Sequence, residues 1–131
     1  MPGWQWLATP GHTPGHISLW RDADRSLISG DALITTRQES AYAVFTDTPE
    51  LHGPPMYLTP DWDTARASVQ SLAGLEPELV VSGHGPAVRG QELRNALHAL
   101  ANDFDKIAVP QSGRYRLHPA TPDDGSAYRS P

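Results

Sequence analysis

Cysteine is absent from all 131 residues, which removes disulfide frameworks, thiolate metal sites and cysteine nucleophiles together. Any metal must be held by His or carboxylate. Basic charge is also scarce. Ten Lys and Arg stand against fifteen Asp and Glu, a formal charge of −5, and the ten are scattered rather than gathered into the basic face that nucleic-acid binding requires. No nucleic-acid partner is expected. The longest apolar runs are only a few residues, too short for a membrane span or a signal h-region, and the opening Met1-Pro2-Gly3-Trp4 resembles no export signal. The expected address is the cytoplasm, with no membrane partner.

What is present suits a single globular domain: 38% hydrophobic residues on a 14.2 kDa chain are enough for a core. Eleven glycines and thirteen prolines predict frequent turns and short elements. Strands are expected over Trp4 to Thr9, His16 to Arg21 and Ser26 to Ser29, the last two joined as an antiparallel hairpin by Asp22-Ala23-Asp24. From Ala32 to Leu58 no period holds, so a long loop is expected there. Thr59 can cap a helix with Pro60 in its first position; Trp62, Ala65, Val69 and Leu72 give that helix an apolar stripe, and Gly74 ends it. A buried strand Leu79-Val80-Val81 follows. A second amphipathic helix then carries Leu93, Leu97, Leu100, Phe104 and Ile107, and Pro110 stops it. The reading is α/β (α+β), a mixed or antiparallel sheet covered by two helices over residues 1–110. Residues 111–131 form a polar tail in which Arg114 to Leu117 could add an edge strand.

Three residues stand where a strand runs out into a turn, each after a glycine: His12, Asp31 and His84. A glycine lets the backbone approach a centre closely, and a strand end supports a ligand rigidly. Two imidazoles and a carboxylate suit zinc, iron or manganese. Taken one at a time, the same residues are ordinary turn histidines and a turn-capping aspartate.

The strings around them go further: ATPGHTPGHISLW at 8–20, ISGDAL at 28–33 and VVSGHGP at 80–86. In this order they resemble the metallo-β-lactamase fold family, over about residues 4 to 107. The resemblance implies that His12 is a ligand of one metal ion, that Asp31 bridges two ions, and that His84 completes the second site. It implies zinc as the usual ion, with iron or manganese as alternatives. It also implies that residues 1–110 are the C-terminal half of a four-layer αββα sandwich. The TPGHTPGH string is most similar to thioesterase-like members such as glyoxalase II.

The family's upstream H-x-H-x-D-H string does not occur in this sequence. The implied centre is therefore half built, with two protein ligands per ion instead of three or four. The expected function is metal-dependent hydrolysis of an ester- or thioester-type small molecule, incomplete or inactive in this chain alone. An iron-dependent sulfur dioxygenase of the same fold is one alternative, and a non-catalytic remnant or docking subunit is another. The missing half would come from the same native polypeptide or a partner chain, and a homodimer through an exposed sheet face is a further expectation.

Four residues after His12, His16 completes an H-x-x-x-H spacing. Pro10, Pro14 and two glycines exclude the helix that would make this pair a metal clamp, and the resemblance gives the second His a supporting role. His52, His98 and His118 read as solvated or structural. Arg37, Gln38, Glu39 and Tyr42 lie where a loop could border the site. Trp4, Trp6, Trp20 and Trp62 are expected in core packing, and rings deprived of a covering layer would leave the chain prone to self-association.

Overall fold

The computed structural model describes residues 1–35 and 51–111. Arg37, Gln38, Glu39, Tyr42, His118 and the strand expected from Arg114 to Leu117 lie outside these residues.

Five strands form one mixed sheet in the order β1-β2-β3-β4-β5: β1 Gln5–Ala8, β2 Ile17–Arg21, β3 Ser26–Gly30, β4 Leu79–Ser82 and β5 Val88–Arg89. The pairs β1/β2, β2/β3 and β4/β5 are antiparallel, while β3 and β4 run parallel. A parallel pair needs a crossover, which here contains helix α1, Trp62–Gly74. Helix α2, Gly90–Asn102, follows β5.

Period-two alternation divides the sheet. Leu7 packs against the core from β1, and Trp20, Leu27 and Val80 are buried on the same face, beneath Leu72, Leu93, Leu97 and Leu100 of the two helices. The opposite face carries Trp6, Leu19, Ile28 and Val81, which lie in cross-strand register. Trp6 is 74% exposed, and on the same face Ile17 and Val81 are 41% and 39% exposed. One sheet face is thus closed by helices and the other is an open apolar stripe, the arrangement expected of half a sandwich. Two of the four tryptophans, Trp20 and Trp62, pack in the core; Trp6 faces outward and Trp4 lies 4.7 Å beneath the Arg21 guanidinium.

Three local expectations change. Asp61, not Thr59, caps α1: its backbone is extended (φ −134°), and its Oδ1 accepts from the Thr64 amide at 3.0 Å while its Oδ2 accepts from the Thr64 hydroxyl at 2.7 Å. Thr59 donates its hydroxyl to Pro55 O instead. The second helix is two, because Asp103 leaves helical space (φ −111°, ψ 30°) and its carbonyl then accepts from Lys106 and Ile107 to start α3, Phe104–Ile107. This turn buries Phe104 against Trp62, ring centroids 6.3 Å apart. The short β5 was not legible, since two residues carry no period.

Candidate metal centre

Strand direction brings the three glycine-preceded residues together. β1 and β3 are both antiparallel to β2, so they point the same way, and β4 is parallel to β3. The C-terminal ends of β1, β3 and β4 therefore lie at one sheet edge, and His12, Asp31 and His84 each follow one of those ends.

Asp31 sits between the two imidazoles. His12 Nε2 is 3.5 Å from Asp31 Oδ2, and His84 Nε2 is 3.6 Å from Asp31 Oδ1. Each ring meets a different oxygen. The gradient of exposure is steep, with side chains 12% accessible at His12, 29% at Asp31 and 50% at His84. Burial pushes the His12 pKa below its ordinary value; Asp31 pulls it up, and His16 and His84 push it down. At neutral pH His12 is thus an uncharged imidazole with a lone pair available for a cation.

The supports come from distant parts of the chain. His12 Nδ1 lies 3.5 Å from Thr59 Oγ1, whose hydrogen is committed to Pro55 O at 2.8 Å, so the threonine oxygen can only accept. A ring protonated on Nδ1 can donate to this oxygen and then presents its Nε2 lone pair on the Asp31 side, the form a metal ligand needs. The His84 carbonyl accepts from the Thr35 amide at 3.0 Å and from the Ser82 hydroxyl at 2.7 Å, while the Thr35 hydroxyl donates to Pro86 O at 2.7 Å. The backbone of the turn is pinned although the His84 ring is open to solvent.

Two glycines are explained by what would meet a side chain there. A Cβ on Gly83 would collide with Asp31 Oδ1, and one on Gly30, whose φ is +54°, would lie 2.8 Å from His16 Nε2. Sequence reading identified the three clustered residues but not Thr59, Thr35 or Ser82 beside them. Thr59 looked like a helix cap, and only tertiary packing brings it to His12 across 47 positions. His52 is half-buried and forms a backbone bridge with Ile34. His98 is exposed on α2 and pairs with Glu76.

The donor set suits a divalent ion in kind, two imidazoles and a carboxylate. Its arrangement is two His–Asp pairs sharing one carboxylate. Among the described residues no group of three or more His, Cys, Asp or Glu closes around a single ion.

The family model described as the metallo-beta-lactamase superfamily matches residues 1–84. The chain belongs to this superfamily. It is 54% identical over 104 residues to the probable metallo-hydrolase YflN of Bacillus subtilis (strain 168), a match covering 79% of this chain and 39% of that protein. Among solved structures, TTHA1623 in a di-iron-bound form is similar at 28% identity and a TM-score of 0.53, covering 79% of this chain and 43% of that one. The B3 metallo-beta-lactamase BLEG-1 is similar at 28% identity and a TM-score of 0.51, covering 71% and 39%. The superfamily chain described here thus spans about two fifths of the length of each (39%, 43% and 39%). No helix among its described residues is long and apolar enough to cross a membrane.

Proposed function

We propose that this chain carries one side of a dinuclear metallohydrolase centre, in which His12 and His84 each hold one ion and Asp31 bridges both. The observation that carries this reading is the contact of the two imidazoles with opposite oxygens of one carboxylate. Divalent ions, zinc by preference, supply Lewis acidity and lower the pKa of a water enough for it to attack at neutral pH. Each ion would have two donors from the described residues, fewer than a stable site uses. The remaining donors belong to a complementing segment, and the apolar stripe of Trp6, Leu19, Ile28 and Val81 supports a place for it beside the open sheet face.

The chain's own groups then have defined work. Half-buried His12 would hold one ion, exposed His84 would hold the other, and Asp31 would offer one carboxylate oxygen toward each. An ester or thioester is the proposed substrate class because the TPGHTPGH string at 9–16 resembles that of thioesterase-like members, although the string is shared too widely to identify a substrate. A second reading keeps the donors and replaces zinc by iron for oxygen-dependent sulfur oxidation; the similar protein crystallised in a di-iron-bound form supports iron.

Equilibrium dialysis of the pure chain against Zn2+ and, without oxygen, Fe2+ tests both readings. Expected is binding weaker than that of complete sites, reduced in His12→Ala and lost in Asp31→Ala, with little thioester turnover by the chain alone. Equal binding by wild type and both variants would overturn the assignment. A preference for Fe2+ together with sulfur-dependent oxygen consumption would favour the second reading.

A further inference from the structure

His16 is joined to Asp31 by a hydrogen-bond chain whose direction is fixed at both ends. At one end the Asp31 backbone N–H, which can only donate, meets His16 Nε2 at 3.0 Å. Nε2 must therefore be unprotonated, and the neutral ring carries its hydrogen on Nδ1. Nδ1 is 2.9 Å from Thr9 Oγ1, Thr9 Oγ1 is 2.9 Å from Ser18 Oγ, and Ser18 Oγ is 3.1 Å from Ser29 O. A carbonyl can only accept. Each hydroxyl has one hydrogen, so every link is determined: His16 Nδ1–H donates to Thr9, Thr9 to Ser18, and Ser18 to Ser29 O. Thr9, Ser18 and Ser29 are all buried, which makes any broken link costly.

The chain begins and ends on the same stretch of backbone, at Ser29 and Asp31, and passes through the β1–β2 connection that carries His12. Thr9 N also donates to His16 O at 3.0 Å, closing that loop at its base. Gly30 leaves the space in which the His16 ring sits.

We propose that His16 is a positioning residue for the metal-bridging carboxylate, holding the Asp31 backbone through a ring locked in the Nδ1–H tautomer by Thr9 and Ser18. This inference rests on the metal reading of Asp31. Both ring nitrogens are committed, so His16 fixes the bridge without competing with it for an ion. Partners of this kind influence metal affinity by about 10- to 100-fold.

Two measurements on the full 131-residue chain test it. Long-range 1H–15N correlation of the metal-free, 15N-labelled protein should show His16 protonated at Nδ1, with a through-hydrogen-bond coupling between its Nε2 and the Asp31 amide nitrogen. Zn2+ titration should show affinity about 10- to 100-fold lower in His16→Leu and close to wild type in His16→Gln, whose amide oxygen restores an acceptor for the Asp31 N–H. If His16→Leu does not fold, Thr9→Val serves instead: it leaves the Nδ1–H without its acceptor, so the coupling between His16 Nε2 and the Asp31 amide should shrink and Zn2+ binding should weaken.

An Nε2-protonated His16, or wild-type Zn2+ affinity in folded His16→Leu or Thr9→Val, would overturn the proposal while leaving the metal reading intact. Wild-type chain that binds no Zn2+ while His16 shows the expected tautomer and coupling would overturn the metal reading, and the positioning role with it.

Discussion

Gly83 and Asp31 lie so close that a single methyl group on Gly83 would collide with Asp31 Oδ1. The backbones are tied as well, Gly83 N donating to Gly30 O at 2.9 Å. The glycine of the SGHGP turn is therefore tied to the carboxylate of the SGD turn, 52 positions away in sequence.

Gly83→Ala should separate stability from metal binding. Asp31 Oδ1 is the free end of a partly exposed side chain and can swing aside, so the thermal midpoint should change little. The displaced carboxylate should lower Zn2+ affinity about tenfold or more. Calorimetry of folding and of Zn2+ binding on the same variant measures both, and unchanged Zn2+ affinity would count against a bridging Asp31.

Leu97→Ala tests the helix-covered face. Leu97 is 1% exposed among Leu93, Leu100 and the sheet residues Leu27 and Val80. Removing its branched end should cost about 2–5 kcal/mol in urea unfolding. A loss below about 1 kcal/mol, the range of surface substitutions, would show that α2 does not pack on the sheet as described.

Trp6→Lys tests the open face. Trp6 is 74% exposed and begins the apolar stripe that crosses to Val81. Urea stability should shift by about 0.5 kcal/mol or less, whereas concentration-dependent self-association in sedimentation velocity should fall. A wild-type chain that stays monomeric at all concentrations would show that the stripe does not drive association of copies.

Asp24 supplies a pH prediction away from the centre. Its hydrogen bonds to Arg21 in the β2–β3 turn, 2.8 Å to Nε and 2.5 Å to the terminal nitrogen, are the main cause lowering its pKa from 3.8 to about 2. A carboxylate held below its unfolded value stabilises the fold above pH 3.8, and that contribution disappears as pH falls through about 2. Because the pair is exposed, the effect on stability is small. Carbon-detected NMR titration should place Asp24 near 2 in wild type and return it toward 3.8 in Arg21→Gln.

The sequence determined more of the site than of its surroundings. Local signals put His12, Asp31 and His84 at strand ends after glycines, and the turn signals that bound His16 to Arg21 and Ser26 to Ser29 were enough to locate β2 and β3. Boundaries governed by competing local bonds were less legible. Thr59 and Asp61 are both good caps, and the choice fell to Asp61 because Thr59 bonds Pro55 O. The break at Asp103 likewise follows from burying Phe104 against Trp62, a contact between α1 and α3 that periodicity along one helix does not contain.

Sequence by itself also determined the chemistry available: without cysteine, imidazole and carboxylate are the donors, and their order with the surrounding strings was sufficient to suggest the superfamily. Only the tertiary structure decided how those donors meet. The parallel pairing of β3 with β4 brings Asp31 to His84, and the shared direction of β1 and β3 brings His12 to the other carboxylate oxygen. The role of His16 was decided there too. Its spacing from His12 is a local fact, but the acceptor it offers to the Asp31 amide exists only when β2 lies beside β3, because hydrogen bonds are directional and short and sequence distance does not specify them.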